Sequence, residues 1–143
     1  MKKQLLLLSF LVLLSSMAVG QVQFGVGGTL INDFGVQGRA KISITDKINA
    51  LPAVSYFFST GTVIGVDFVG SYDVTEVSEF PIYATGGLSL LRFSGFGTSI
   101  TTKALSLGAG TVYNSNIYGE IRLLLGIGDG GGSDIGINVG YYF

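Results

Sequence analysis

Large apolar residues recur at every second position along most of the chain after residue 20. Between Phe34 and Ile44 the even positions are apolar or glycine, whereas the odd positions carry glycine, glutamine, arginine, lysine and serine. This period of two is the pattern of a β-strand with one apolar face. The same alternation occurs in 22–26, before this run, and after it in 64–72, 105–113, 117–125 and 135–143. The pattern predicts an all-β protein.

Turn-forming residues separate these runs and divide the chain into eight predicted strands. The alternation is blurred in the third and fifth, where Pro52 and Pro81 are placed near the strand starts, at which a missing donor is tolerated. The stretch 92–103 is rich in Gly, Ser and Thr and is expected to be the longest connection. Each strand has about the 9–11 residues that a tilted strand needs to cross a bilayer. The predicted bounds are 21–30, 34–44, 49–58, 62–73, 80–91, 104–113, 117–127 and 135–143.

The first twenty residues have the order of a secretory signal peptide. Two lysines precede an apolar run, and small residues follow at Ala18 and Gly20. The alternative is an uncleaved membrane anchor, but the run from Leu5 to Val19 is short of the roughly 20 residues that a helix needs to span a bilayer. We therefore predict a signal peptide over 1–20, cleavage after Gly20 and a single barrel domain over 21–143.

Charge is scarce for an exported domain. Charged residues make up 12% of the chain, about half the usual share, and a small domain cannot bury nearly all of its surface. The deficit favours a membrane environment, yet no stretch after residue 20 is a continuous apolar segment long enough for a helical span. A closed barrel is then the remaining way to cross. The alternative is a soluble secreted β-barrel with its apolar residues inside, binding a small apolar ligand.

The charged residues of the strands share the polar face. That face is otherwise small, which suits the crowded interior of an eight-stranded barrel. A basic residue facing lipid near the midplane would cost about 2–4 kcal/mol, whereas inside the barrel the cations can pair with carboxylates, Asp73 included. The alternative is the charged exterior of a soluble barrel. The pattern predicts an interior ion-pair cluster that fills the lumen and comprises Arg39, Lys41, Asp67, Glu120 and Arg122.

With this pattern, the turn at 45–49 and an aromatic C-terminus, the chain resembles the small eight-stranded outer-membrane β-barrels of Gram-negative bacteria, the OmpA/OmpX-like group. The resemblance implies an antiparallel up-and-down transmembrane barrel in outer-membrane lipid, with both chain ends in the periplasm. It also implies periplasmic chaperones and the outer-membrane assembly machinery as partners. It places the assembly signal in the last strand, at Ile137, Val139, Tyr141 and Phe143. The chain departs from that group in having no Trp.

Little in the chain points to catalysis or to a cofactor. With no His and no Cys, the Ser-His-Asp and Cys-His nucleophiles and the usual zinc ligands are missing. Asp67 and Glu120 could form an acid–base pair, but three basic residues on the same face favour structural pairing. The segment 129–134 is one copy of a Gly/Asp calcium motif that works in tandem, so we interpret it as a loop.

The expected function is that of a non-enzymatic, integral outer-membrane protein with a structural or surface-interaction role, in envelope integrity or adhesion. No cofactor is predicted. Removal of 1–20 takes away two lysines and leaves a net charge of −3, so nucleic acid is not expected as a partner. A porin-like diffusion channel is a third alternative, disfavoured because eight strands leave no open lumen. The oligomeric state is left open.

Overall fold

The computed structural model describes residues 2–9, 22–128 and 131–143. Eight antiparallel strands close into a barrel in which each strand pairs with its neighbours in sequence and the first strand pairs with the last. The predicted eight-stranded up-and-down barrel, including its third and fifth strands, is confirmed. The strands are β1 Val22–Ile31, β2 Asp33–Ser43, β3 Ile48–Ser59, β4 Gly61–Val77, β5 Phe80–Gly95, β6 Thr98–Tyr113, β7 Ile117–Ile127 and β8 Ser133–Tyr142.

The N-terminal segment lies apart from the barrel strands in sequence. Residues 2–9 are helical, and their side chains are exposed. In the described parts of the chain, no helix has the length and apolar character required to cross a membrane. The predicted cleavage after Gly20 lies outside the described residues, so the signal peptide stays a prediction.

The barrel is apolar outside and polar inside. Outward side chains such as Phe34, Val54 and Phe68 are more than half exposed, whereas Arg39 and Glu120 are each 3% exposed. A soluble barrel has the opposite arrangement, because its large apolar residues must leave water. The faces predicted from the period-two pattern are therefore the faces that the barrel has, and its outer surface suits a hydrocarbon solvent.

Two predicted connections are strand instead. The stretch 92–103 is not a loop, because β5 and β6 continue through it to a two-residue turn at Phe96 and Gly97. Likewise β4 runs on to Val77, with a register shift between Asp73 and Thr75, before a turn at 78–79. With 16 or 17 residues each, β4, β5 and β6 are thus longer than the other five strands. β4 extends past β3 at its C-terminal end, and β6 extends past β7 at its N-terminal end. The extensions of β5 and β6 are rich in hydroxyl groups, and that of β4 places Val74 and Val77 three residues apart. These segments therefore lack the period-two apolar alternation that identified the other strands.

Pro52 lies inside β3 and interrupts its pairing with β2. The registered pairs run down to Arg39 opposite Ala53 and resume at Ile42 opposite Ala50. Proline has no N–H to give to a ladder, and the missing pairs are those at Ala40 and the residue after it. The predicted start of this strand, at residue 49, is one residue from the observed start at Ile48, and Pro52 is the fifth residue of β3.

Candidate functional site

A charged layer crosses the middle of the lumen. Arg39 on β2 forms an ion pair with Glu120 on β7, and both side chains are fully buried. The guanidinium also donates from Nη2 to Glu120 Oε1 at 3.2 Å, so the contact is bidentate. Arginine suits such a site because its planar fork matches a carboxylate. The pair joins two strands on either side of the β1–β8 closure.

Arg122 connects the same carboxylate to a second one. Its Nη1 donates to Asp67 Oδ2 on β4 at 3.1 Å, and its Nε donates to Glu120 Oε1 at 2.9 Å. Its Nη2 lies 2.7 Å from Glu120 Oε1, but no hydrogen bond forms there, so that contact is electrostatic. Two arginines and two carboxylates balance in charge, as buried ions require. The structure thus brings together four of the five predicted residues.

Lys41, the fifth predicted residue, lies below this layer, toward the lower end of the barrel, where β1 begins and β8 ends. Its Nζ sits 5.9 Å from the centre of the Tyr142 ring, and in the described chain it makes no ion pair with Asp67 or Glu120. It lines an open polar vestibule of about 480 Å³ together with Asp73 and Glu76. The strand pattern correctly predicts that Lys41 faces the lumen. Along the barrel axis, however, Lys41 lies at a different level from the charged layer.

Neutral side chains that the sequence pattern did not single out complete the hydrogen bonds of the charged layer. Gln37 accepts from Arg39 Nη2 at 2.7 Å and donates to Ser55 Oγ at 3.1 Å. The Tyr83 hydroxyl donates to Glu120 Oε2 at 2.7 Å. In the alternating pattern these residues fall on the same lumen-facing positions as the charged residues. That position in the pattern is the signal that could have identified them. Gln37 thus satisfies a buried N–H of Arg39, and Tyr83 satisfies a buried lone pair of Glu120, groups that burial removes from water.

Tyrosines cover the charged layer on its lower side. The Arg39 guanidinium lies 4.1 Å from the centre of the Tyr118 ring, a cation–π contact, and Tyr142 lies beside Tyr118 at 4.8 Å between centroids. Glycines make room for these rings. A Cβ on Gly27 would lie 2.7 Å from the Tyr118 hydroxyl, and a Cβ on Gly140 would collide with the same hydroxyl. Gly27 and Gly140 face each other across the β1–β8 seam.

The upper lumen is closed by apolar packing. Phe57 and Leu124 are 3% and 4% exposed, and they line a cavity with Leu91 directly above Arg122. That cavity holds about 10 Å³, room for about one water. Within the described residues, no group of three or more His, Cys, Asp or Glu side chains is arranged to hold a metal ion. Among the residues that the structure describes, paired charges and the apolar side chains above them fill the lumen at this level and leave no wide passage.

An apolar outer belt around a charge-filled lumen defines the class: an eight-stranded transmembrane β-barrel. No family model matches the sequence, and no curated protein matches it. Among solved structures, the barrel resembles the N-terminal β-barrel domain of Pseudomonas aeruginosa OprF, with a TM-score of 0.63 and 16% identity over 87% of this chain and 99% of that one. The predicted resemblance to small outer-membrane barrels is confirmed at the level of the fold.

Two further structures give the same result. The de novo designed barrel TMB2.3 aligns with a TM-score of 0.54 and 14% identity, over 85% of this chain and 93% of that one. The attachment invasion locus protein Ail of Yersinia pestis, in complex with the heparin analogue sucrose octasulfate, aligns with a TM-score of 0.51 and 14% identity, over 87% and 99%. One of these structurally similar proteins was designed de novo, so the fold by itself specifies no activity.

Proposed function

We propose that the protein is a non-enzymatic integral protein of the outer membrane, with a structural or surface-interaction role in envelope integrity or adhesion. The observation that carries this is the inverted distribution of side chains, with the apolar face outside and the charges inside. In water such a surface would expose a contiguous apolar belt far larger than monomeric soluble proteins show. In lipid the same belt is stabilising, and the closed ladder leaves no edge unpaired.

Heat-modifiable migration of the refolded protein tests the environment. An intact barrel resists unheated detergent and migrates faster than the boiled chain, and the cellular protein should fractionate with the outer membrane. Protein recovered from the periplasm without detergent would overturn the proposal. Binding of an apolar ligand by a soluble barrel is the alternative, but it needs large apolar residues inside, where this lumen has ion pairs.

A conducting channel is a weaker candidate, because the charged layer and the apolar packing above it fill the lumen. Single-channel recording of the refolded protein would test this. We expect no stable conductance from the wild type. A conductance that changed on Arg39→Ala would favour the channel instead.

We also propose that the last strand carries the assembly signal in its outward residues Ile137, Val139, Tyr141 and Phe143. Support comes from how the chain end is held. The backbone N–H of Phe143 donates to the Phe24 carbonyl at 2.8 Å, and that of Tyr142 donates to Asn116 at 2.6 Å. The terminal aromatic is 72% exposed on the outer face, and its ring packs edge-on against Tyr141 at 5.7 Å, so two aromatic members of the proposed signal form one outward surface.

Comparison of Phe143→Ser with Ile135→Ser tests this signal, because Ile135 lies on the same face of β8 and is 65% exposed. We expect Phe143→Ser to reduce the amount of assembled barrel in cells, while the two variants, once refolded, unfold at similar denaturant concentrations. Equal assembly of wild type and Phe143→Ser would contradict the proposal. An equal loss in both variants would assign the effect to the apolar face in general.

A further inference from the structure

The outward face of the strands carries two basic side chains, and they are neighbours. Arg92 on β5 and Lys103 on β6 are exposed, and the other lysine and arginine side chains of the strands face the lumen. Arg92 is paired with Thr101, two residues from Lys103. This puts the two cations in diagonal positions about 7–8 Å apart, with their Cβ atoms somewhat closer. Among the described residues neither forms an ion pair.

The two cations lie at the upper border of the apolar belt. Leu88 and Leu105 form the last purely apolar outward pair on these strands. Beyond the two cations the outward side chains bear hydroxyl groups. The four successive outward pairs on β5 and β6 are Leu88–Leu105, Leu90–Lys103, Arg92–Thr101 and Ser94–Ser99. The change from hydrocarbon to hydrated groups therefore falls within this short ladder, and a basic residue costs little at such a border.

Elsewhere the upper border has a different composition. On β2 and β3 it is aromatic, with Phe34 stacked on Phe58 at 6.1 Å and Tyr56 edge-on to Phe58 at 5.5 Å, and no cation faces outward there. Aromatic rings suit the interface with neutral lipid. Two adjacent unpaired cations repel each other unless an anion lies between them. The β5–β6 sector thus has the chemistry for an anionic group at the level of the lipid headgroups.

We propose that Arg92, Lys103 and the Thr101 hydroxyl form a binding site for the phosphate of an anionic membrane lipid. The arginine fork engages two phosphate oxygens, the lysine adds a point charge, and the hydroxyl donates to a third oxygen. The site lies at the end of the barrel away from the chain termini, which is the outer leaflet in the topology expected above. This inference rests on the proposed membrane location.

Spin-labelled lipids test the site. The refolded protein is placed in phosphatidylcholine bilayers, and electron paramagnetic resonance gives the association of spin-labelled phosphatidic acid relative to phosphatidylcholine. We expect selectivity for phosphatidic acid to fall roughly fivefold when either Arg92→Gln or Lys103→Gln is made, and about 25-fold in the double variant. Lys47→Gln is the matched control, because Lys47 is an exposed cation in a turn at the opposite end. It should keep the wild-type selectivity.

Each other result has a defined meaning. Equal selectivity in wild type and the double variant, or an equal loss in Lys47→Gln, would overturn the site. Equal selectivity for spin-labelled oleate would show that any negative charge suffices, and displacement by soluble glycerol phosphate would assign the site to a free phosphate compound. A protein that forms no heat-modifiable barrel in these bilayers would contradict the proposed location, whereas an inserted barrel without lipid selectivity contradicts this inference alone.

Discussion

The side of the barrel where β1 meets β8 differs from the side formed by β4 to β6. At the seam the registered pairs extend from Gly25 to Leu30, whereas β4 and β5 pair from Thr62 to Val77. The short seam is lined inside by tyrosines and by the Arg39–Glu120 pair. The long wall is lined mainly by small side chains such as Ser106 and Gly108. Where the ladder offers few hydrogen bonds, interior side chains supply the stability.

The largest effect is expected from removing a charge next to the seam. Arg39→Met leaves Glu120 buried with less compensation, and we expect a loss of about 3–5 kcal/mol in the free energy of unfolding, measured by urea titration of the refolded barrel. The double variant Arg39→Met/Glu120→Gln leaves Arg122 and Asp67 balanced. It should lose less than the sum of the two single variants. Strict additivity would show that the pair does not act as a unit.

A methyl group at the seam should have the next largest effect. Gly140→Ala places a Cβ against the Tyr118 ring and the Val26 carbonyl, and we expect a loss of about 1–3 kcal/mol from overpacking. Gly119→Ala is the control, because a Cβ at Gly119 meets no atom within 4 Å. Denaturant midpoints of the two variants measure the difference. Equal midpoints would mean that Tyr118 moves aside freely and does not fix the seam.

On the long wall, the tip of the β5–β6 hairpin should tolerate change and even gain from it. Phe96 has φ +52° and is 91% exposed, a conformation that is unfavourable for a bulky residue. Phe96→Asn creates the Asn-Gly sequence preferred in such turns. We expect a gain of up to about 1 kcal/mol, visible as a higher unfolding midpoint. A lower midpoint would show that the ring stabilises the hairpin by contacts.

The smallest effect is expected from a change on the lumen-facing side of β4 to β6. The Ser106 hydroxyl is buried without a hydrogen-bond partner in the protein, so Ser106→Ala should change the unfolding free energy by less than about 1 kcal/mol. Ser106→Leu adds bulk opposite Leu124 in the packed lumen and should destabilise the barrel. If the alanine variant were the more damaging of the two, the hydroxyl would have a role that its contacts do not reveal.

The sequence predicts the strands and their faces because burial on one face imposes a period of two. It places Arg39, Asp67, Glu120 and Arg122 on the inward face, where the structure pairs them. It does not predict that Lys41 lies apart from these four residues. The period of two specifies which face of a strand a side chain is on, whereas the register between strands sets its level along the barrel axis. The extension of β5 and β6 beyond Arg92 is missed for a similar reason. Its side chains no longer alternate in hydropathy once the strands leave the belt.

The interruption opposite Pro52 has a mechanical consequence. β2 is fastened to β3 by two separate stretches of ladder, one above Ala40 and a shorter one at Ile42 and Ser43. A pull on the lower end of β2 meets the short stretch first, and once that stretch ruptures, no hydrogen bond to β3 resists until Arg39. The tear would then stop at the level where Arg39 is anchored across the lumen to Glu120. Pro52 thus divides the β2–β3 ladder into a short stretch that ruptures first and a longer stretch that resists further separation.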